Sequence, residues 1–87
     1  MRALTLERAF AEALRQARRR RGLTQEQLAF AAGLDRTAIS LLERARRSPS
    51  LETVFLIAEA LNIPAADFVA ETVEQIRRGA RGGRSAT

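Results

Sequence analysis

Fifteen of the 87 residues are arginine and none is lysine, and they are unevenly placed. Nine arginines between residues 15 and 47 face only Glu26, Asp35 and Glu43, leaving +6 in that segment. Residues 48–76 hold five acids and no cation, for −5, and four more arginines follow in 77–87. Arginine presents a planar fork of donors that matches phosphate and the acceptor edge of guanine, so a cationic middle beside an acidic segment suits recognition of a polyanion. The plainer alternative is a set of solvated arginine-rich helix faces. Catalytic chemistry is poorly supplied. Histidine, cysteine, tyrosine and tryptophan are absent, which removes the usual general bases, most nucleophiles and the nitrogen and sulfur ligands of metals. The carboxylates stand singly on helix faces. No enzyme activity, metal or cofactor is expected.

The length suits one small domain, and 46% apolar residues can build its core. Apolar runs such as Val54–Ala58 fall far short of the ~18 residues that a membrane span requires. The N-terminal stretch carries Glu7 and Glu12 at helical spacing and lacks a signal-peptide core. With no cysteine to staple, the expectation is a cytoplasmic protein without membrane association.

Apolar spacing gives the elements that must carry these arginines. A first helix over about 6–21 has Leu6, Phe10, Ala13, Leu14 and Ala17 on one stripe, Thr5 as its expected N-cap and Gly22 as its terminator. Arg18 ends that apolar stripe, an odd place for a cation. A second helix over about 24–32 opens on Thr24, with Gln27 completing a capping box, and stops at Gly33. Asp35 is the expected cap of a third helix over about 36–44. At 100° per residue Ala38, Ile39 and Leu42 lie between about 200° and 300° from Arg36, on the side that faces the core. Arg36, Thr37, Ser40, Leu41 and Arg44 lie between about 0° and 140°, on the other side. Ser50 caps a fourth helix over about 51–61 with Val54, Ile57, Ala58 and Leu61 inward, and Phe55 and Leu56 off that stripe. Pro64 breaks the chain. A fifth helix over about 65–77 has Val69, Thr72, Val73 and Ile76 on its expected inner stripe. These helices make one domain over 1–78, and the Gly- and Arg-rich residues 79–87 read as a flexible basic tail.

Two short helices joined by Gly33-Leu34-Asp35 cross steeply and leave the second projecting, with long donors on its first turn. The stretch RRRRGLTQEQLAFAAGLDRTAISLLERARRSPSLETVFLIAEALNI resembles the phage-repressor and Cro-like (XRE-type) helix-turn-helix family over about residues 5–76. Within it LDRTAIS resembles the controller proteins of restriction–modification systems. The resemblance implies an all-α, five-helix, lambda-repressor-like fold that binds double-stranded DNA with the third helix as reader. By the same resemblance Arg36, Thr37 and Ser40 face bases or nearby phosphates, and Leu41 departs from the family pattern, standing where relatives often place a polar base-contacting side chain. Gln25, Arg44, Arg46 and Arg47 hold the phosphate backbone, and Arg18 pairs structurally with Glu43. Chemically, Arg36 can donate a bidentate pair to guanine, and Leu41 or Thr37 can touch a thymine methyl. The alternatives to base reading are phosphate-only contact or a solvated side chain for Arg36, and service to its own helix terminus for Thr37. Ala45 departs from the family pattern, standing where glycine is usual.

The function that follows is sequence-specific transcriptional regulation by a homodimer on an operator, because one small module extends its readout through two-fold half-sites. Phe55, Leu56, Val69, Val73 and Ile76 are the candidate interface residues, with packing of the fourth helix on the fifth as their alternative role. The competing function is a protein-interaction module: an antitoxin with a toxin partner, or an adaptor on the same fold.

Overall fold

The computed structural model describes residues 3–86, with side chains from residue 6 to residue 79. The described chain is five helices: α1 Ala3–Arg20, α2 Gln25–Ala32, α3 Arg36–Glu43, α4 Leu51–Leu61 and α5 Ala65–Ala86. Helix α1 packs on α5 and α3, α2 packs on α3 and α4, and α4 closes against α5. Their inner stripes meet in one core, where Leu14, Leu28, Ile39, Leu42, Ile57, Leu61 and Phe68 are almost wholly buried. Removing each such side chain from water contributes about 1.5–3 kcal/mol before the entropy of ordering is counted. The Phe10 and Phe68 rings meet at 5.2 Å between centroids, tilted by 40°, and join α1 to α5.

Helix α5 differs from its expected orientation. Phe68 and Thr72 are buried, whereas Val69 and Val73 are 48% and 42% exposed. Positions 68, 69, 72, 73 and 76 form two apolar stripes about 100° apart, and the Phe10 ring selects the one that starts at Phe68. Thr72 is tolerated inside because its hydroxyl donates to the Phe68 carbonyl at 3.2 Å. The helix also continues past the expected end at 77, through the stretch read as a flexible tail, to Ala86. Glycine costs a helix about 1 kcal/mol per residue relative to alanine but, unlike proline, leaves its hydrogen bonding intact. Side chains after Gly79, and Thr87 altogether, lie outside the described residues. At the other end α1 already begins at Ala3, so Thr5 is inside the helix and does not cap it. Among the described residues no single helix is long and apolar enough to cross a membrane.

Four helices stop in the same way, with a residue in the left-handed region and the next amide reaching back five residues. Gly22 (φ 69°) ends α1, where Leu23 N donates to Arg18 O at 3.1 Å. Gly33 (φ 72°) ends α2, where Leu34 N donates to Ala29 O at 2.9 Å. Asn62 (φ 60°) ends α4, where Ile63 N donates to Ala58 O at 3.0 Å. After α3 the position belongs to Ala45, held at φ 57°, and Arg46 N donates to Leu41 O at 2.9 Å. A left-handed conformation costs an L-residue with a Cβ roughly 1–2 kcal/mol. Glycine removes that cost but gives the unfolded chain more freedom, which offsets about 0.4–1 kcal/mol. Ala45→Gly is therefore expected to raise the melting temperature by a few degrees in a thermal unfolding experiment. A lower melting temperature would mean that the turn after α3 is not strained.

Candidate nucleic-acid interface

The turn between α2 and α3 is set locally at both ends. At the start of α2, Thr24 and Gln27 form a complete capping box: Gln27 N donates to Thr24 Oγ1 at 3.0 Å, and Thr24 N donates to Gln27 Oε1 at 2.9 Å. At its end Gly33 turns the chain, and Asp35 occupies the N-cap of α3 with extended backbone. The Asp35 side chain makes no capping hydrogen bond, contrary to its expected role. Its carbonyl instead receives Ala38 N at 3.0 Å and Ile39 N at 3.3 Å, so the backbone alone starts the helix.

Helix α3 is thereby fixed with Ile39 and Leu42 in the core and its other side outward. Arg36, Thr37 and Arg44 are exposed, and Ser40 and Leu41 are half-buried. Arg46 and Arg47, in the loop that follows the Ala45 turn, are exposed as well. Among the described residues none of Arg36, Arg44, Arg46 and Arg47 takes part in an ion pair. Their donors are uncommitted. One short helix and its exit loop therefore present four uncompensated guanidinium groups around a strip of small polar and apolar side chains, which can meet phosphate and base edges together.

Glu43, Arg18 and Gln25 form a hydrogen-bonded polar cluster between α1, α2 and α3. Glu43, in the last turn of α3, is only 3% exposed. Arg18 Nε donates to Glu43 Oε2 at 2.6 Å, and its Nη2 donates to Oε1 at 3.0 Å. Arg18 Nη1 donates to the Leu23 carbonyl at 2.8 Å. Gln25 Nε2 donates to the same Glu43 Oε1 at 3.0 Å. The cluster is fully satisfied, since no described buried side-chain nitrogen or oxygen lacks a partner. Gln25 is thus engaged inward through one hydrogen of its amide, and the second hydrogen of Nε2 remains available for a phosphate.

Four contacts lie beyond what spacing in the sequence predicts. Arg15 donates to the Glu43 carbonyl and to the Glu12 carboxylate. Gln25 reaches Glu43, and Ser48 Oγ donates to Glu7 Oε2 at 2.8 Å, tying the loop after α3 to α1. Spacing gave one available signal: Glu12, Arg15 and Arg18 recur every three residues along one side of α1. Hydrogen bonds from Gln16 and then from Arg15 hold the Glu12 carboxyl below the usual carboxylate range.

The candidate interface residues divide between surface and core. Phe55, Val69 and Val73 are 57%, 48% and 42% exposed. Leu56 is half-buried and packs against the core, and Ile76 is half-buried on α5.

Residues 14–68 match a family model described as helix-turn-helix. The chain is 41% identical over 59 residues to the control protein C.SmaI of Serratia marcescens, covering 68% of this chain and 70% of that protein. Its fold superposes on the clp gene regulator ClgR of Corynebacterium glutamicum with a TM-score of 0.88 at 31% identity, covering 93% of this chain and 86% of ClgR. It also superposes on the restriction–modification controller protein C.Esp1396I, seen as a tetramer in complex with its natural 35-base-pair operator. There the TM-score is 0.76 at 31% identity, with 82% of this chain and 93% of that one covered.

Proposed function

Because the chain belongs to the XRE-type helix-turn-helix family of transcriptional regulators, we propose that it binds an operator as a homodimer, with α3 as the reader in the major groove. The carrying observation is the outward side of α3, where Arg36, Thr37, Ser40, Leu41 and Arg44 surround a helix whose inner side is locked into the core. Arg36, Thr37, Ser40 and Leu41 read bases. Gln25, Arg44, Arg46 and Arg47 hold phosphates on either side. Residues 1–78 are the binding unit, and the cysteine-free composition favours action in the cytoplasm. Similarity to an operator-bound controller tetramer supports duplex DNA as the partner and assembly beyond the monomer.

Selection from random duplex DNA tests this reading. The expected outcome is one enriched site with two inverted half-sites about 34 Å apart, or a multiple of that. Its log K should fall linearly with log salt, by about 0.9 per phosphate neutralised. No enriched site, or an affinity indifferent to ionic strength, would overturn the proposal. For the dimer, Val73→Glu should give a folded monomer with weakened operator binding, because Val73 is exposed. Leu56→Glu should instead lower the melting temperature, because Leu56 packs on the core. A dimeric Val73→Glu protein in sedimentation would remove α5 from the interface.

A further inference from the structure

The geometry points to Arg15 as a positioning residue for the reader helix, acting on α3 from α1. The last carbonyls of α3 can be accounted for one by one. Ser40 O accepts Arg44 N at 3.0 Å, Leu41 O accepts Arg46 N at 2.9 Å, and Leu42 O accepts Ala45 N at 3.1 Å. Glu43 O is next in the series, and the left-handed turn at Ala45 carries the following amides elsewhere. Its donor is the Arg15 guanidinium, supplied by a residue 28 positions earlier in the chain. A cation there also opposes the negative end of the α3 dipole. Arg15 is itself held in place, because it also donates to Glu12, whose other oxygen accepts Gln16 Nε2 at 2.9 Å.

Glu43 is thus gripped through its carboxylate by Arg18 and Gln25 and through its backbone by Arg15. The carboxylate contacts fix how deeply the helix end sits. The carbonyl contact fixes the direction of its axis, because a backbone atom cannot swing about side-chain torsions. A reader helix that tilts keeps its charge near the phosphates but moves Arg36 off the base edges, since base hydrogen bonds are directional and the phosphate attraction is not. Loss of Arg15 therefore acts on discrimination between sequences more than on attraction to DNA.

This inference rests on the DNA-binding reading, and the experiment separates their failures. Binding of full-length wild type, Arg15→Met, Arg15→Lys and Glu12→Ala is measured on the duplex selected by wild type and on an unrelated duplex of equal length. Measurements are made well below each variant's melting temperature. Arg15→Met is expected to lose roughly tenfold of the selected-over-unrelated preference, the lower end of what one base-reading pair contributes. Affinity for the unrelated duplex and the salt slope should stay at wild-type values. Arg15→Lys, which keeps a donor and the charge, should restore part of the preference. Glu12→Ala, which frees the Arg15 side chain without removing it, should lose part of it, and serves if Arg15→Met does not fold. A lower melting temperature with unchanged preference would overturn the inference and leave Arg15 a purely structural residue. Equal losses on both duplexes, with a salt slope shallower by about 0.9, would make it a phosphate contact instead. If wild type itself selects no duplex, the DNA-binding reading fails, whatever Arg15 does.

Discussion

Glu43→Gln is expected to lower the unfolding free energy by about 3–5 kcal/mol in the absence of DNA, the usual effect of removing one partner from a buried ion pair. The variant leaves Arg18 half-buried with its Nε and Nη2 facing a neutral amide, and Gln25 loses its charged acceptor. Small domains hold about 5–15 kcal/mol in total, so the loss is a large share of stability. The melting temperature should fall by well over ten degrees, at about 4–8 °C per kcal/mol for a chain of this size. Slight exposure of Arg18, whose side chain retains 13% of its accessible surface, moves the effect towards the lower end of the range. Combining Arg18→Met with Glu43→Leu should recover much of the loss, because two apolar groups of similar volume leave no charge stranded in the interior. The decisive measurement is a double-mutant cycle in thermal unfolding. A coupling energy near zero would make Arg18 an independent cation whose partner, if any, is phosphate.

Arg36→Ala should cost roughly 1–3 kcal/mol on the selected operator and relax its sequence preference at one position of each half-site. Arg36 opens α3, is exposed, and enters no described ion pair, so its fork is free to meet a guanine edge. Arg46→Ala removes the same charge from the loop after the Ala45 turn. There the expected partner is phosphate, so affinity should fall by similar factors on all sequences and the salt slope should become shallower by about 0.9. Titrations of both variants on operator and unrelated duplex, at two or more salt concentrations, distinguish the roles. Loss of specific and non-specific affinity in the same ratio by both variants would mean that Arg36 does not read bases.

Much of the architecture was legible in the chain itself because it rests on interactions that act within about one helical turn. Gly22 and Gly33 stop their helices through positive φ, Thr24 and Gln27 cap α2 reciprocally, and Ser50 accepts Thr53 N at 3.0 Å to start α4. Three- and four-residue spacing likewise located the inner stripe of α4 and most of that of α1. The outward side of α3 followed from the same periodicity, because eight residues with three inward apolar positions leave one rotation that buries them. The charge of that side was a matter of composition.

What tertiary structure decided were choices between locally equivalent answers. Helix α5 carries two adjacent apolar stripes, and periodicity cannot rank them; contact of Phe68 with Phe10 across 5.2 Å does. Asp35 has the chemistry of a cap, yet its side chain is not used as one. Arg15 and Arg18 differ by one helical turn and have the same chemistry. Only the approach of α3 makes one a partner of the Glu43 carboxylate and the other a donor to its carbonyl. Ala45 enters the left-handed region for a non-local reason as well. The α3 end is clamped from α1 and α2 before the turn, and Ser48 is tied to Glu7 after it, so the chain between must reverse there although it lacks glycine. Local sterics and hydrogen bonding therefore determined where the helices begin and end, and the fit of distant side chains determined which faces meet and how firmly the end of α3 is held.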